Sequence, residues 1–428
     1  MSDTIFAHSS GAAPAAIAII RISGKAAGDA LKALAGRLPP PRRASYGALR
    51  DGGGMVLDHV LMLWFPGPDT ATGEDLAELH CHGGRAVIAA VEGALAKLPG
   101  LRRAEPGEFT RRAFAHGRID LAQAEGLADL LSAETELQRQ AAMAVAGGSM
   151  SRQVEAWRMD VLTLSASVEA ALDFSDEDDV GELSDDLHHR LAVLRDQIGA
   201  WLARSRAEVL KDGFRVVIAG PPNAGKSTLF NALVESEAAI TAPIAGTTRD
   251  VLTWSASIHG VPFRFIDTAG LRDETQDAIE AIGIERARRI LSEADLVLWL
   301  GTQGEGPDVG NRLWEIDAQI DRADHVAKTA VSHRVSAVTG QGVDDLRRDL
   351  AAHARAALPR PGEAALNERQ HKALTVVATA LEEAGRQRDP LLVGEELRLA
   401  RVALDGVLGR TTTEDMLDAL FGRFCIGK

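Results

Sequence analysis

The stretch that most restricts the fold is the glycine-rich loop GPPNAGKST at 220–228. It follows FRVVIAG, an apolar run typical of a buried strand, and precedes STLFNALVE, which reads as a helix. Gly220 and Gly225 permit a turn that points backbone N–H groups at phosphate oxygens, and the helix N-terminus adds partial positive charge. Lys226 is then placed to reach the β- and γ-phosphates and Ser227 to ligate Mg²⁺. The loop therefore predicts a parallel α/β nucleotide-binding module.

Two further motifs follow this loop in an informative order. DTAG (267–270) comes after the apolar run VPFRFI, so Asp267 ends a strand and is placed to act on Mg²⁺ through water. The N–H of Gly270 is available to a γ-phosphate. In the intervening stretch APIAGTTRD (242–250), Thr248 is placed as a second Mg²⁺ ligand that binds only with triphosphate present. The three motifs together predict a guanine-nucleotide switch protein.

The base-reading element departs from the usual pattern. A GTPase ordinarily carries Asn-Lys-x-Asp after its fifth strand, and the matching positions here are Ala318, Gln319, Ile320 and Asp321. Asp321 can still accept from guanine N1 and N2, and the N–H of Ala337 in SAVTG can read O6. Losing one buried hydrogen-bonding partner costs about 1–3 kcal/mol. We therefore expect guanine selectivity to survive but to be weaker.

These motifs define a predicted nucleotide site. Its GTP-binding residues are Asn223, Ala224, Gly225, Lys226, Ser227, Thr228, Thr247, Thr248, Asp267, Thr268, Ala269, Gly270, Asp321, Ser336 and Ala337. The neighbouring switch residues are Arg249, Asp250 and Arg272. Ser227 and Thr248 are the expected direct Mg²⁺ ligands, with Asp267 acting through water.

The order of strand-like and helix-like segments predicts where the nucleotide-binding module is inserted in the chain. A chain of 428 residues suggests two to four domains. Residues 1–118 mix strand-like and helix-like runs, 119–211 read as long amphipathic helices, 212–356 hold the nucleotide motifs, and 357–428 are helical again. Because helical segments flank the module on both sides, we expect it to be inserted into a discontinuous helical domain. The predicted fold class is α/β plus all-α.

Charge and cysteine content restrict the partners and the compartment. The net charge of −14 excludes a broad electropositive surface for nucleic acid. The densest basic cluster, LRRAEPGEFTRR (101–112), is either a solvated face or a contact for nucleic-acid phosphates or a protein partner. Two cysteines make no disulfide framework, which fits a reducing compartment. The apolar run APAAIAIIRIS is too short to span a bilayer, so we expect a cytoplasmic protein without a membrane partner.

Two small motifs have alternative interpretations. In HCHGG, His80 and His82 share one face of a predicted strand, so one interpretation is a zinc site formed with Cys81. No fourth ligand is evident in the sequence. Cys425 stands fourth from the end, the position of a prenylated cysteine. Gly427 and a final lysine do not fit that modification, and we expect Cys425 to end a helix that begins in TTTEDMLDALF.

Segments outside the nucleotide motifs resemble one family, the bacterial tRNA-modification GTPases MnmE, also called TrmE. The resemblance is carried by DTIFA, IIRISG, TGEDLAELHCHGG, PGEFTRRAFAHGRIDLAQAEGLADL, LDFSDEDD, IGIERA, NERQ, EELRLA and TTTEDMLDALFGRFCIGK. It implies an N-terminal folate-binding and dimerisation domain (1–118), a helical-bundle domain in two parts (119–211 and 357–428, the latter with the C-terminal tail), and an inserted Ras-like G domain (212–356). It also implies a homodimer.

The resemblance implies a specific activity. With the flavoprotein MnmG (GidA), in a heterotetramer or larger complex, the family adds an aminomethyl or carboxymethylaminomethyl group to C5 of the tRNA wobble uridine. The one-carbon donor is a tetrahydrofolate derivative, 5,10-methylene- or 5-formyl-. Two alternative functions fit the sequence less well. An RNA-binding GTPase of ribosome assembly would usually carry a basic RNA-binding domain, and a non-catalytic folate-binding module would not need Lys226, Ser227, Thr248 and Asp267.

The resemblance also assigns residues to the chemistry. K⁺ takes the place of an arginine finger, held by Asn223, Ala242, Ile244 and Thr247. The water-orienting residue matches Glu280, although this sequence has one more residue between Gly270 and Glu280 than the family pattern. The folate contacts match Arg21, Glu78, Arg118 and Lys428, and the tail brings Cys425 to the one-carbon unit. The loop at 7–16 departs from the family pattern, which is rich in Pro and Gly and contains an Arg.

Overall fold

The computed structural model describes residues 3–173, 184–204, 207–234, 253–267, 289–360, 363–411 and 414–427. The chain divides into two compact units. The first contains residues 1–128 and 405–428, so it is built from both ends of the chain, and the second contains residues 129–404. None of the helices in the described ranges combines the length and apolar character needed to cross a bilayer.

The elements are numbered along the chain. The strands are β1 Thr4–His8, β2 Ala15–Ser23, β3 Ser45–Arg50, β4 Val56–Phe65, β5 Leu76–Gly83, β6 Leu101–Arg103, β7 Phe214–Ala219, β8 Thr253–Ile258, β9 Val261–Asp267, β10 Leu296–Trp299, β11 Leu313–Ala318 and β12 His333–Val335. The helices are α1 Ala27–Ala35, α2 Arg85–Leu95, α3 Glu108–Ala115, α4 Leu121–Ser132, α5 Glu136–Ala146, α6 Ser149–Asp173, α7 Asp185–Leu202, α8 Ala207–Asp212, α9 Lys226–Val234, α10 Val343–Ala357, α11 Glu368–Arg386, α12 Pro390–Leu408 and α13 Glu414–Phe421.

The first unit is organised around a six-stranded sheet of order β3-β4-β5-β2-β1-β6. Its strands are antiparallel except for the β1–β6 pair. The predicted first strand is β2, and its alternation is informative because Ile20 and Ile22 are fully buried while Arg21 faces the other side. Helices α1 and α2 cover the apolar face, where Leu31 and Val91 join the core.

The C-terminal segment, which we define as residues 414–427, completes the first unit. Leu417, Phe421 and Phe424 share a small core with Leu121 and Ala124 of α4. The last described residues leave the helix and make an antiparallel bridge between Ile426 and Pro106. The expectation that Cys425 ends a helix is therefore wrong, because α13 stops at Phe421 and turns at 422–424 lead to the bridge at Ile426.

The second unit contains the module that the phosphate loop predicts. Its sheet has the order β12-β11-β10-β7-β9-β8, and all neighbours are parallel except β8 and β9. Strand β7, which is buried except at Arg215, lies in the interior of this order, as its mostly apolar run predicts. Helices α9 and α10 contribute Leu229, Leu233, Leu346 and Leu350 to the core.

Long helices from both sides of the module pack together. Helix α7 precedes the module in the chain, and α11 follows it, yet the two helices pack against each other. His188 Nε2 of α7 lies 3.3 Å from the Gln387 carbonyl at the end of α11. Asn367 starts α11 with a reciprocal capping box to Gln370. The predicted fold class, with a module inserted into a helical domain, is confirmed.

Helix α5 packs on the core of the inserted module. Its start is fixed by a capping box between Thr135 and Gln138. Leu137 and Ala141 then join the core that contains Leu210 of α8 and the sheet residues of the module. The Gln138 side chain also donates to the Leu210 carbonyl at 3.0 Å. The domain boundaries at 118, 211 and 356 stay a prediction.

Candidate functional site

The phosphate loop, residues 220–225, curls around its own lysine. Lys226 is the first residue of α9 and is only 7% exposed. Its Nζ donates to the carbonyl oxygens of Gly220, at 3.0 Å, and Pro221, at 2.9 Å. Gly225 has φ 89°, a conformation that glycine adopts without steric cost. The ammonium group is therefore held at the centre of the loop, where a phosphate would meet it.

A side chain from the base-reading element braces this loop. Gln319 directly follows β11, and its Nε2 donates to the Asn223 carbonyl at 3.0 Å. Both residues have left-handed backbones, with φ 58° at Gln319 and φ 62° at Asn223. The carboxyl ends of the parallel strands β7 and β11 meet at one edge of the sheet, which brings the two loops together. Sequence reasoning missed this brace because 96 positions separate the two residues.

A cavity of about 220 Å³ lies beside the braced loop. Its lining comes from the phosphate loop, the start of α9, the ends of β11 and β12 and the segments that follow these strands: Gly225, Thr228, Leu229, Ala318, Gln319, Asp321, Arg322, Val335, Ala337 and Val338. Its wall thus combines apolar side chains with a few polar ones, the composition of a small-molecule site.

Asp321 is oriented toward one role in this cavity wall. Its Oδ1 accepts a hydrogen bond of 2.6 Å from Ser336 Oγ, which in turn accepts from the Thr339 N–H at 3.1 Å. The Ser336 hydrogen bond is the main reason that the pKa of Asp321 is lowered. The carboxylate is therefore ionised at neutral pH and suited to accept from the N–H donors of a base. Ala318 lines the same cavity but has no side-chain polar atom.

Several predicted site residues lie outside the described part of the chain: Ala242, Ile244, Thr247, Thr248, Arg249, Asp250, Thr268, Ala269, Gly270, Arg272, Glu280 and Lys428. Of Asp267, the structure describes the backbone, which ends β9 and pairs in register with Ile218 of β7. At one edge of the sheet the described residues bring together the predicted stretch from Asn223 to Thr228 with Asp321, Ser336 and Ala337.

The predicted folate residues of the first unit form two separate ion pairs. Arg21 and Glu78 are cross-strand partners on β2 and β5, and Arg21 Nε and Nη2 donate to Glu78 Oε1 at 3.1 and 2.8 Å. The Arg21 guanidinium also lies 5.8 Å from the centre of the Phe109 ring. Arg118 instead pairs with Asp69, at 3.2 Å. Arg21 and Glu78 thus form one polar centre, while Arg118 is engaged with another carboxylate.

The two cysteines have opposite environments. Cys81 is buried in the sheet core, and burial, with Asp58 nearby, raises the pKa of its thiol to about 12. Cys425 is exposed on the C-terminal segment. His82 Nδ1 lies 2.7 Å from Asp58 Oδ1, so its ring contacts that carboxylate. Among the described residues no group of three His, Cys, Asp or Glu is placed to hold a metal ion, and the zinc alternative gains no support.

The basic cluster at 101–112 is occupied by internal ion pairs. Its four arginines pair within the first unit as Arg102 with Glu108, Arg103 with Glu92, Arg111 with Asp418 and Arg112 with Glu74. Arg112 is fully buried and also reaches Glu108 at 2.9 Å. Burial raises the pKa of Glu108. Hydrogen bonds from the Arg102 side chain, the Glu105 N–H and the Arg112 side chain outweigh burial, so the pKa is lowered overall. The four arginines are therefore ion-paired within the first unit, but the side chains of Arg102 and Arg103 are 42% and 67% exposed. A contact of this cluster with tRNA or a protein partner stays a prediction.

A mostly parallel sheet that carries a phosphate loop after an interior strand and a base-sized cavity beside it defines a phosphate-loop nucleotide-binding protein. Comparison with known proteins narrows this class. Residues 4–118 match the family model "GTP-binding protein TrmE N-terminus", and residues 121–425 match "MnmE helical domain". The chain belongs to the MnmE family.

Curated relatives match the chain from end to end. Proteins named tRNA modification GTPase MnmE from Novosphingobium aromaticivorans and Erythrobacter litoralis are each 63% identical, with 100% of both chains covered. The protein of that name from a Methylobacterium species is 52% identical over the same share. A solved structure of Era in complex with MgGDPNP and 16S ribosomal RNA aligns with 50% of this chain and 98% of its own, at 21% identity and a TM-score of 0.26, too low to support a conclusion.

Proposed function

We propose that the chain is a GTPase that takes part in tRNA modification. The observation that carries the proposal is the joint geometry of the phosphate loop and the cavity. Lys226 is centred in the loop, Gln319 ties the loop to the base-reading element, and Asp321 is held ready by Ser336 in the cavity wall. This arrangement fits a nucleoside triphosphate whose base is read by an ionised carboxylate, which favours guanine.

Mg²⁺ and K⁺ are proposed as the ions of the reaction. Ser227 lies in the first turn of α9 directly after Lys226, where a hydroxyl is suited to Mg²⁺, with Thr248 as second ligand and Asp267 acting through water. Asn223 would hold K⁺ with Ala242, Ile244 and Thr247, and its left-handed backbone turns the loop at that point. A cation there would neutralise charge that develops during hydrolysis. Glu280 would orient the water.

A tetrahydrofolate derivative is proposed as the one-carbon donor. Glu78 and Arg21 supply the carboxylate and the guanidinium that suit pterin N–H donors and a glutamate tail, and they already lie side by side. Arg118 and Lys428 would add positive charge, and Cys425 would face the one-carbon unit. We further propose a cytoplasmic homodimer that works with the flavoprotein MnmG on C5 of the wobble uridine, by addition of an aminomethyl or carboxymethylaminomethyl group.

Hydrolysis measured in two salts tests the GTPase. We expect GTP hydrolysis to be faster in KCl than in NaCl, and Lys226→Ala to abolish it, because the loop then lacks the cation at its centre. Lys372→Ala is the matched control, since Lys372 is exposed on α11 and pairs with Glu368 of the same helix. Asn223→Ala should keep basal hydrolysis but remove the difference between the salts. A wild-type chain that hydrolyses GTP no faster in KCl than in NaCl would contradict the K⁺ proposal.

The biological role needs a separate measurement. Mass spectrometry of tRNA wobble nucleosides from a deletion strain should show loss of the modified uridine, restored by the wild-type gene but not by the Lys226→Ala variant. Unchanged nucleosides in the deletion strain would contradict the role in tRNA modification while leaving the GTPase result intact.

A further inference from the structure

The C-terminal segment is attached to the rest of the first unit through its helix, α13, and through residues ahead of its last ones. Arg111 of α3 donates to Asp418 of α13 at 2.7 Å and also pairs with Glu414. Phe421 and Phe424 of the segment are buried in the core shared with α4. The helix of the segment is thus fixed by charge and by apolar burial, and the position of its last residues is a separate question.

At two glycines, the backbone of the C-terminal segment lies directly against the backbone of the rest of the first unit. Gly107 has φ 69°, and a Cβ built there would overlap the Phe421 carbonyl. Gly427 has φ 96°, and a Cβ built there would overlap the His8 carbonyl oxygen and lie 2.9 Å from the Ser9 Cα. Gly427 is buried whereas Cys425 and Ile426 are exposed. The chain end is therefore inserted at Gly427, and the thiol two residues earlier is left on the outside.

The surface that receives Gly427 is a braced turn. The Ser9 N–H donates to the Ile19 carbonyl at 2.7 Å, and the Ile19 N–H donates to Ser10 Oγ at 3.0 Å. His8 Nε2 lies 2.9 Å from the same Ser10 oxygen. Because the turn is tied to β2 through both main chain and side chain, it has little freedom to move away from an added methyl group. This turn lies in the 7–16 loop, where the sequence departs from the family pattern.

We propose that Gly427 is a positioning residue for Cys425. Its close approach to His8, together with the Ile426–Pro106 bridge, holds the end of the chain so that the thiol is presented at one fixed place on the N-terminal domain. The chemical use of that thiol rests on the proposed function, but its placement does not. A side chain at position 427 requires both a left-handed backbone and space that the His8 carbonyl occupies, so the last residues must detach.

A cross-link across the observed bridge tests the placement. Paired Cα atoms in an antiparallel bridge are about 4.5–5.5 Å apart, within the range that a disulfide spans. In a Cys425→Ser chain, Pro106→Cys with Ile426→Cys should form a disulfide, and the buried Cys81 should not compete. Adding Gly427→Ala should lower the cross-linking rate about tenfold. Gly36→Ala is the matched control, because Gly36 also has positive φ but no atom within 4 Å of a built Cβ.

Kinetics test the link from placement to chemistry. With Cys425 intact, Gly427→Ala should lower kcat for wobble-uridine modification about 100-fold, since small misplacements of a reacting group have effects of that size. KM for tRNA and K⁺-stimulated GTP hydrolysis should stay unchanged, which also shows that the variant folds. Gly36→Ala should match wild type in all three quantities.

The outcomes separate the two proposals. Equal cross-linking of the Gly427→Ala and Gly36→Ala chains would overturn the placement by Gly427. Reduced cross-linking with undiminished modification would overturn its positioning role. A wild-type chain that modifies no tRNA would contradict the proposed function, while the cross-linking result would still decide whether Gly427 holds the chain end.

Discussion

Single residues distinguish the proposed base-reading element of this chain from the usual GTPase motif. Asp321 keeps the acceptor that guanine recognition needs, and Ser336 orients it at 2.6 Å. Ala318 removes the amide that most GTPases place next to it, and Gln319 replaces a lysine. The structure shows that Gln319 still reaches the phosphate loop through its side-chain amide. Gln319 therefore ties this element to the phosphate loop, whereas Ala318 offers no side-chain hydrogen-bonding group to the proposed base.

Restoring the missing amide should sharpen base selection. Ala318→Asn should raise the affinity for GTP over ATP by about 1–3 kcal/mol, because a hydrogen-bonding group returns to the cavity wall. Equilibrium binding of fluorescent GTP and ATP analogues to both chains measures the change. The wild type should already prefer GTP. Equal binding of the two nucleotides by the wild type would show that Asp321 and the Ala337 N–H do not select guanine.

At the scale of elements, helix α5 links the helical part of the second unit to the inserted module. Its apolar face places Leu137 and Ala141 in the core of the module, and Gln138 closes a hydrogen bond to α8. The amphipathic spacing of this segment predicts a helix correctly. Spacing identifies an apolar face but does not say which neighbour covers it, so the attachment to the module required the structure.

Truncation of the α5 contact should destabilise the module. Leu137→Ala should lower the free energy of unfolding by about 2–5 kcal/mol, because it leaves a cavity in a packed core. Met143→Ala on the same helix is the matched control, since Met143 is 52% exposed. Thermal unfolding followed with and without bound GTP measures both. Equal melting temperatures for the two variants would mean that α5 contributes nothing to the module core.

At the scale of the whole molecule, each unit is assembled from distant parts of the chain. The first unit contains residues from both ends of the chain. In the second unit α7 and α11 pack together, although the inserted module separates them in sequence. Leu210 of α8 belongs to the module core, although it precedes the start at 212 expected from the sequence. The residues that pack in the core of the module therefore include one that precedes the predicted domain boundary.

Fragments of the module test where it begins. Residues 207–358 should be more soluble and bind GTP more tightly than residues 212–356, because the longer fragment retains Leu210 and Leu358, both of which are buried in the core. Soluble yield and the GTP dissociation constant of each fragment are the measurements. If both fragments gave the same values, α8 would be only a connection.

The sequence by itself determined the features that depend on neighbouring residues. The run from β7 through the phosphate loop to α9 follows from apolar strand residues, glycines and a helix start within about twenty positions, so local spacing predicts it. The fold class and the family follow from several such stretches taken together. The tertiary structure alone decided the Gln319 brace, the internal pairing of the 101–112 arginines and the contact of Gly427 with His8. The Gln319 brace, the Gly427 contact and the Arg112–Glu74 pair each join residues far apart in the chain. The packing of whole elements, which no local pattern encodes, determines which distant groups meet.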